Sequence, residues 1–328
     1  MRLTLAVPGL LALDPAILAS MTSLGRLARY AGPPLTRRGT LDAFVLSGSG
    51  EGAGAAALAA LGAGLDPGKS HVLRADPVSL VAGRNDVALA ARIDDLDADG
   101  AGTMISSLNA HFAVDGLTFR APRPDAWFIL QDVAPDLTTT PLDSVRGAIY
   151  PWLPAGGDAP RWRRWLSEMQ MLLHAHPANA AREAHGRVPV TGVWISDGGR
   201  VADFTRDSAP LIFAPAGRDG DVARGLARLR GTVAALPPGS LATLPAQDDA
   251  IVVLDRVTDV NAPRLLSDWF APAVAALERG TLASLSLLAN GEGTAAAWHA
   301  ERPSWRARML ARMTAPPYAP PTRDEDDA

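Results

Sequence analysis

The stretch from Arg161 to Arg200, RWRRWLSEMQMLLHAHPANAAREAHGRVPVTGVWISDGGR, decides how the rest of the chain is read. Trp162, Trp165, Leu166, Met169, Leu172 and Leu173 recur at the spacing of one helix face, and the opposite face is polar. Pro177 ends that helix, because the residue before a proline is pushed out of the α region and the ring carries no N–H. A turn carrying Asn179, Arg182 and Glu183 follows. Val188 to Ile195 is then a β-branched and aromatic run that reaches Asp197-Gly198-Gly199, the pattern of a strand feeding a glycine turn. Polar side chains therefore collect where a helix ends beside a buried strand.

Working outward, the same alternation continues in both directions. Leu3 to Val7, closed by Pro8-Gly9, reads as a first buried strand, Ile17 to Tyr30 as a helix and Leu41 to Leu46 as a second strand. A glycine-rich turn, Ser47 to Gly54, leads into an alanine-rich helix from Ala55 to about Ala63. On the other side, Leu211 to Ala214, Ala250 to Leu254 and Leu282 to Leu288 have strand length, separated by helical patterns at Val222 to Ala235 and Ala262 to Leu277. Strand and helix in turn imply a parallel α/β layer. Between about His71 and Pro154 the texture changes. Short strands at Val87 to Ala91 and Trp127 to Leu130 flank a helix at about Ala98 to Phe112, and the prolines and glycines of Pro151 to Pro160 make a return linker. The expected organisation is a core of residues 1–71 and 156–314, a lobe at 72–155, and a disordered tail at 315–328, whose sequence APPYAPPTRDEDDA is too proline-rich and acidic to bury a core of its own.

Composition narrows the function classes. A chain of 328 residues with 48% hydrophobic and 20% charged residues is long enough to bury a sizeable core. A net charge of −4 and a pI near 5.9 give no general attraction to nucleic acid or to anionic membrane. Zero cysteines remove disulfides, thiolate metal sites and cysteine nucleophiles. A cytoplasmic protein is expected. Arg2 followed by Leu3 to Leu13 has the outline of a signal peptide, but Pro8-Gly9 interrupts it. No run reaches the roughly 18 to 20 apolar residues of a membrane span.

The central stretch also carries a resemblance. His176-Pro177-Ala178-Asn179, Arg182-Glu183, Gly186 and Val188-Pro189 before an apolar strand and a glycine turn resemble the signature of the archaeal-type, cofactor-independent phosphoglycerate mutases. Those enzymes belong to the alkaline phosphatase superfamily. Arg92-Ile93 through Ser107-Leu108-Asn109 is similar to a second stretch of that family. The chain looks most like its degenerate proteobacterial relatives, some labelled RpfE-type regulatory proteins and some phosphoglycerate mutase. The resemblance implies a three-layer alkaline-phosphatase-like α/β core with an inserted smaller α/β lobe. It also implies a nucleophilic serine and two divalent metals held by Asp and His, which activate the serine and neutralise the transferring phosphoryl group.

At each position that should carry this chemistry the chain departs from the family. Val7-Pro8-Gly9-Leu10 has no carboxylate before the glycine, and Ala53 to Gly62 has alanine in place of both serine and histidine. Asp255 to Asn261 and Ala289 to Thr294 lack the metal-binding histidines. No metal and no cofactor are therefore expected. The first reading is a non-catalytic homologue acting as a regulatory or ligand-binding protein. In it His176, Asn179 and Arg182, with Arg161 and Arg164 nearby, line a pocket for a small phosphorylated or carboxylated ligand. Arg182→Ala should then leave the unliganded protein nearly as stable as before. A protein partner is not specified by the sequence. The alternatives are an active phosphoglycerate mutase or phosphatase-like enzyme, and a nucleotide-binding protein using the Gly48 to Gly54 loop, whose Gly48-x-Gly50-x-x-Ala53 fits a relaxed dinucleotide fingerprint. Pro67-Gly68-Lys69-Ser70 is a near miss for a phosphate loop, because the residues after Ser70 read as a strand rather than a helix. His174, His176 and His185 read as helix-end residues rather than metal ligands.

Overall fold

A computed structural model describes residues 1–46, 54–83, 86–204, 210–245, 249–291 and 293–314. The chain forms two compact units, one from Met1–Val45, Ser208–Ala223 and Val233–Ala328, the other from Leu46–Asp207 and Arg224–Thr232. Unit one opens with β1 (Arg2–Val7), α1 (Pro15–Ser20), α2 (Thr22–Ala31), β2 (Leu35–Arg38) and α3 (Asp42–Val45). Unit two supplies α4 (Ala56–Ala63), β3 (His71–Ala82), β4 (Val87–Arg92), α5 (Ala98–Phe112), β5 (Thr118–Arg123), β6 (Ala126–Gln131), α6 (Ala159–His174), α7 (Pro177–Ala184) and β7 (Gly192–Gly199). The chain then runs through β8 (Leu211–Phe213), α8 (Arg218–Leu229), β9 (Ala250–Val253), α9 (Ala262–Leu265), α10 (Ala271–Arg279), β10 (Ser284–Gly291), β11 (Thr294–Glu301) and α11 (Trp305–Thr314).

Unit one is built on a six-stranded sheet in the order β2-β11-β10-β1-β9-β8. β1 lies at its centre, parallel to β10 on one side and to β9 on the other, so the strands from the two ends of the chain share one sheet as expected. β11 and β2 extend it antiparallel. Alternation along β1 turns Leu3, Leu5 and Val7 into one core with Leu24, Leu27, Phe270 and Leu277. Each such leucine contributes about 1.5 to 3 kcal/mol by leaving water. Leu41 to Leu46 is not a strand. Its buried Leu41, Phe44 and Val45 are spaced three and four apart, and the N–H groups of Phe44 and Val45 donate to the Leu41 carbonyl, which closes a helical turn.

Unit two is antiparallel. β3 is its spine, with β6 and β4 along one edge and β7 along the other. One face of this sheet, through Leu73, Phe119, Trp127 and Ile195, packs against α5 and α6. The periodic face of the central helix supplies the cover: Trp162, Trp165, Met169 and Leu173 are at most 5% exposed. The indoles of Trp162 and Trp165 meet edge to face at 5.1 Å.

These facts move the expected domain boundaries. β7 spans Gly192–Gly199 rather than 188–195, and Asp197-Gly198-Gly199 lies inside the strand at a register shift instead of forming a turn after it. Its partner is β3, so α6, α7 and β7 join the antiparallel sheet and not the parallel one. The lobe is therefore 46–207 with 224–232, rather than 72–155. The expected tail, 315–328, lies outside the described residues. The α/β class read from the sequence is what the structure shows, as two separate sheets with their helices.

Candidate functional site

The motif residues of the central stretch occupy the junction of α6, α7 and the lead-in to β7; Asn179, Arg182 and Glu183, expected in a turn, lie on the helix α7, which Pro177 opens at its first position. His176 caps α7: the Ala178 N–H donates to its Nδ1 at 3.2 Å, which leaves Nε2 as the protonated nitrogen, 3.1 Å from Ser107 Oγ on α5. Asn179 is buried and fully used. Its Nδ2 donates to the carbonyls of Leu173 and Val190, both at 2.8 Å, and its Oδ1 accepts the Val190 N–H at 2.9 Å. Arg182 is also buried. Its Nε donates to the Val188 carbonyl at 2.8 Å and its fork closes on Asp95 Oδ1 at 2.5 Å. That bond is the main cause holding the Asp95 carboxyl below the usual range.

Asn179 and Arg182 thus work as staples within the fold, and Arg182 also borders the crevice between α5 and α7. Arg161 and Arg164 are not beside them. They lie on the first turns of α6, while α7 follows its other end, about 18 Å away at 1.5 Å per residue. Arg161 pairs with Asp158 at 2.8 Å and stacks on Trp165, and Arg164 pairs with Glu168 at 3.4 Å. His174 is exposed, and His185 Nδ1 donates to the Ala181 carbonyl at 2.7 Å, the helix-end role expected of it.

What the junction does present is a crevice of about 750 Å³ between α5 and α7, in the size range of small-molecule sites. Asp97, Asp99, Thr103, Ser107, His176, Arg182, His185 and Arg187 are the polar residues that line it, so carboxylates and cationic groups both border the crevice. Ser107, Asp95 and Arg187 are the residues that sequence reasoning missed. No spacing rule links Asp95 to Arg182, 87 positions apart.

A second polar cluster, also unforeseen, lies within unit two on β3 and β7. Arg74, Asp76 and Ser196 are buried, and Arg74 Nε is 3.5 Å from Asp197 Oδ2. Asp197 holds φ at 57°, the left-handed region that costs a non-glycine residue energy. Burial, then the charge of Arg200, pushes the His71 pKa down, and its Nδ1 has no hydrogen-bond partner among the described residues.

In unit one, the ends of β1, β9 and β10 are where the resemblance would place metal ligands. Two divalent cations there need converging carboxylates and imidazoles. Instead the Gly9 N–H donates to Asn290 Oδ1 at 2.9 Å, and the Val257 N–H donates to the Pro8 carbonyl at 2.8 Å. Gly9 has φ 83°, and a Cβ there would come within 2.7 Å of the Val257 carbonyl oxygen, so the two turns close directly on each other. Arg256 adds a guanidinium at the same edge, paired with Asp219 at 2.7 Å. These residues do not fit the metals. Among the described residues no group of three or more His, Asp or Glu is placed to hold one.

Gly48 to Ala53 lie outside the described residues. The dinucleotide fingerprint requires a strand before its glycines, and Asp42–Val45 is helical. Lys69-Ser70 is followed by β3, which lacks the helix N-terminus a phosphate loop uses.

The chain matches no protein-family model and no curated protein. Solved structures similar to it exist. A cofactor-independent phosphoglycerate mutase from Thermoplasma acidophilum aligns at 16% identity over 92% of this chain and 89% of that one, with a TM-score of 0.38. The PH0037 protein from Pyrococcus horikoshii aligns at 13% identity over 92% of this chain and 87% of that one, with a TM-score of 0.43. No helix among the described residues is long and apolar enough to cross a membrane.

Proposed function

We propose that this chain is a non-catalytic relative of the cofactor-independent phosphoglycerate mutases that acts as a regulatory or ligand-binding protein. The observation that carries this reading is the closed edge of the parallel sheet, where Gly9, Asn290 and Val257 bond within the chain in place of metal ligands. The motif residues that the chain does retain, Asn179 and Arg182, support it from the other side, since they hold up the scaffold.

The ligand site in this reading is the crevice between α5 and α7. Its occupant is a small phosphorylated or carboxylated molecule, taken by the Arg187 guanidinium, His185 and the Ser107–His176 pair. Arg187 is about half exposed and its other contacts are to Asp95, so it has room for a second acceptor. Incubating the full chain with 3-phosphoglycerate and manganese should give no 2-phosphoglycerate, whereas 3-phosphoglycerate or inorganic phosphate should raise Tm. Arg187→Ala should remove that rise and leave the unliganded Tm within a few degrees. Turnover would refute the non-catalytic reading, and a ligand shift that survives Arg187→Ala would refute the site.

A further inference from the structure

The two sides of the crevice between α5 and α7 carry unbalanced charge of opposite sign. On the α7 side, Arg182 and Arg187 converge on one carboxylate. Arg182 Nη2 donates to Asp95 Oδ1 at 2.5 Å, while Arg187 Nη1 donates to the Asp95 carbonyl at 3.1 Å and its Nε lies 3.9 Å from Asp95 Oδ2. Two guanidinium groups against one carboxylate leave a positive charge over, and the half-exposed Arg187 carries it. On the α5 side the balance is reversed. Asp97 caps the helix, its Oδ1 accepting the Gly100 N–H at 2.7 Å, and Asp99 follows in the first turn. Both line the crevice, both are exposed, and neither forms an ion pair among the described residues. Asp95 and Asp97 are two residues apart, so their Cα atoms lie within about 7 Å, and the helix carries Asp99 about 3 Å farther. The two surplus charges are therefore within the reach of one small molecule.

We infer that the occupant of this crevice is a zwitterion, a small molecule whose phosphate or carboxylate meets Arg187 and whose ammonium meets Asp97 and Asp99, as an amino acid or its phosphate ester would. The inference rests on the crevice being the ligand site and adds an ammonium to its ligand. A molecule with negative charge alone would gain at Arg187 and lose at the two aspartates, because like charges a few Å apart in a partly enclosed site repel as opposite ones attract. An ammonium beside the anionic group turns that loss into a gain. The hydrogen-bond inventory agrees. Asp97 keeps Oδ2 beyond its cap and Asp99 keeps both oxygens, acceptors enough for the three N–H groups of an ammonium. Asp99, Thr103 and Ser107 recur four residues apart on one face of α5, so hydroxyls continue the polar lining from the carboxylates towards His176, 3.1 Å from Ser107 Oγ.

3-Phosphoglycerate and O-phosphoserine are matched probes, since they share a phosphate and a carboxylate and differ in a hydroxyl against an ammonium. In calorimetric titrations of the full chain near neutral pH, O-phosphoserine should bind about fivefold tighter, the upper end for an exposed ion pair. Asp97→Asn combined with Asp99→Asn should erase the difference, weakening O-phosphoserine and strengthening 3-phosphoglycerate. Asparagine is as good a cap as aspartate, so Tm without ligand should hold. Arg187→Ala should weaken both probes alike. Equal affinities in the parent, both lost in Arg187→Ala, would overturn the zwitterion and leave the crevice an anion site. A preference for O-phosphoserine that survives the double substitution would also overturn it, because the ammonium would then be read by other groups. Binding of neither probe would overturn the zwitterion and the ligand reading of the crevice together.

Discussion

At the scale of single residues, the polar side chains that look like a site serve the fold. Asn179 ties the end of α6 to the lead-in of β7, and Asn109 does the same between α5 and β5, accepting the Phe119 N–H at 2.7 Å and donating to its carbonyl at 3.0 Å. Arg182 joins two loops through Asp95 and Val188. Arg182→Ala strands the Val188 carbonyl and removes a buried cation from its partner. It should therefore cost about 2 to 4 kcal/mol in denaturant titration, opposite to the near-neutral change expected if the guanidinium waited for a ligand. Arg182→Lys should recover little, because an ammonium cannot span both acceptors. His71 makes a pH prediction. Its folded pKa lies below the unfolded value of 6.5, so the unfolded chain binds more protons between the two and stability is lost as pH falls below about 6.5. Replacing His71 by Asn should flatten that limb between about pH 7 and 5, and an unchanged limb would assign it elsewhere. The sequence identified these residue types and their neighbourhood. It could not identify their partners, since an Arg near a helix end looks the same whether it meets an anion or Asp95.

At the scale of elements, legibility followed periodicity. α6 was readable because six apolar residues keep helical spacing and a proline marks its end. β3, the spine of unit two, was noticed only as something strand-like after Ser70, because HVLRADPVSLVA carries Arg74, Asp76 and Pro77 where a central strand normally has none. Part of the cost of that composition is met inside the sheet by an ion pair of the buried Arg74 with the partly exposed Asp197 on β7, the element whose glycines had suggested a turn. α6 itself gives a sharp test. Trp162 is fully buried, yet its Nε1 has no hydrogen-bond partner among the described residues. Trp162→Ala should cost about 3 to 5 kcal/mol, as large-to-small core changes do. Trp162→Phe should cost much less, because it keeps most of the ring while removing an unsatisfied donor. Equal losses in urea titrations of the two variants would mean that the indole N–H is bonded after all.

At the scale of the whole molecule, two things read from the sequence have separated. Asn179 and Arg182 hold a helix to the chain around it, and at the ends of β1, β9 and β10 Gly9 bonds to Asn290 while Arg256 pairs with Asp219. The parallel sheet was legible because its strands are short apolar runs between helices. The division of the chain was not, because the pairing of β7 with β3 joins residues some 120 positions apart and leaves no local mark. The same closure predicts that Gly9→Ala should cost several kcal/mol in denaturant titration, from φ 83° and the contact with Val257. The most direct measurement is the metal content of the purified full chain after incubation with manganese and zinc and removal of unbound ions. The expected result is substoichiometric metal with an unchanged Tm, and two tightly held equivalents that raise Tm would show that the ends of β1, β9 and β10 do form a dinuclear site.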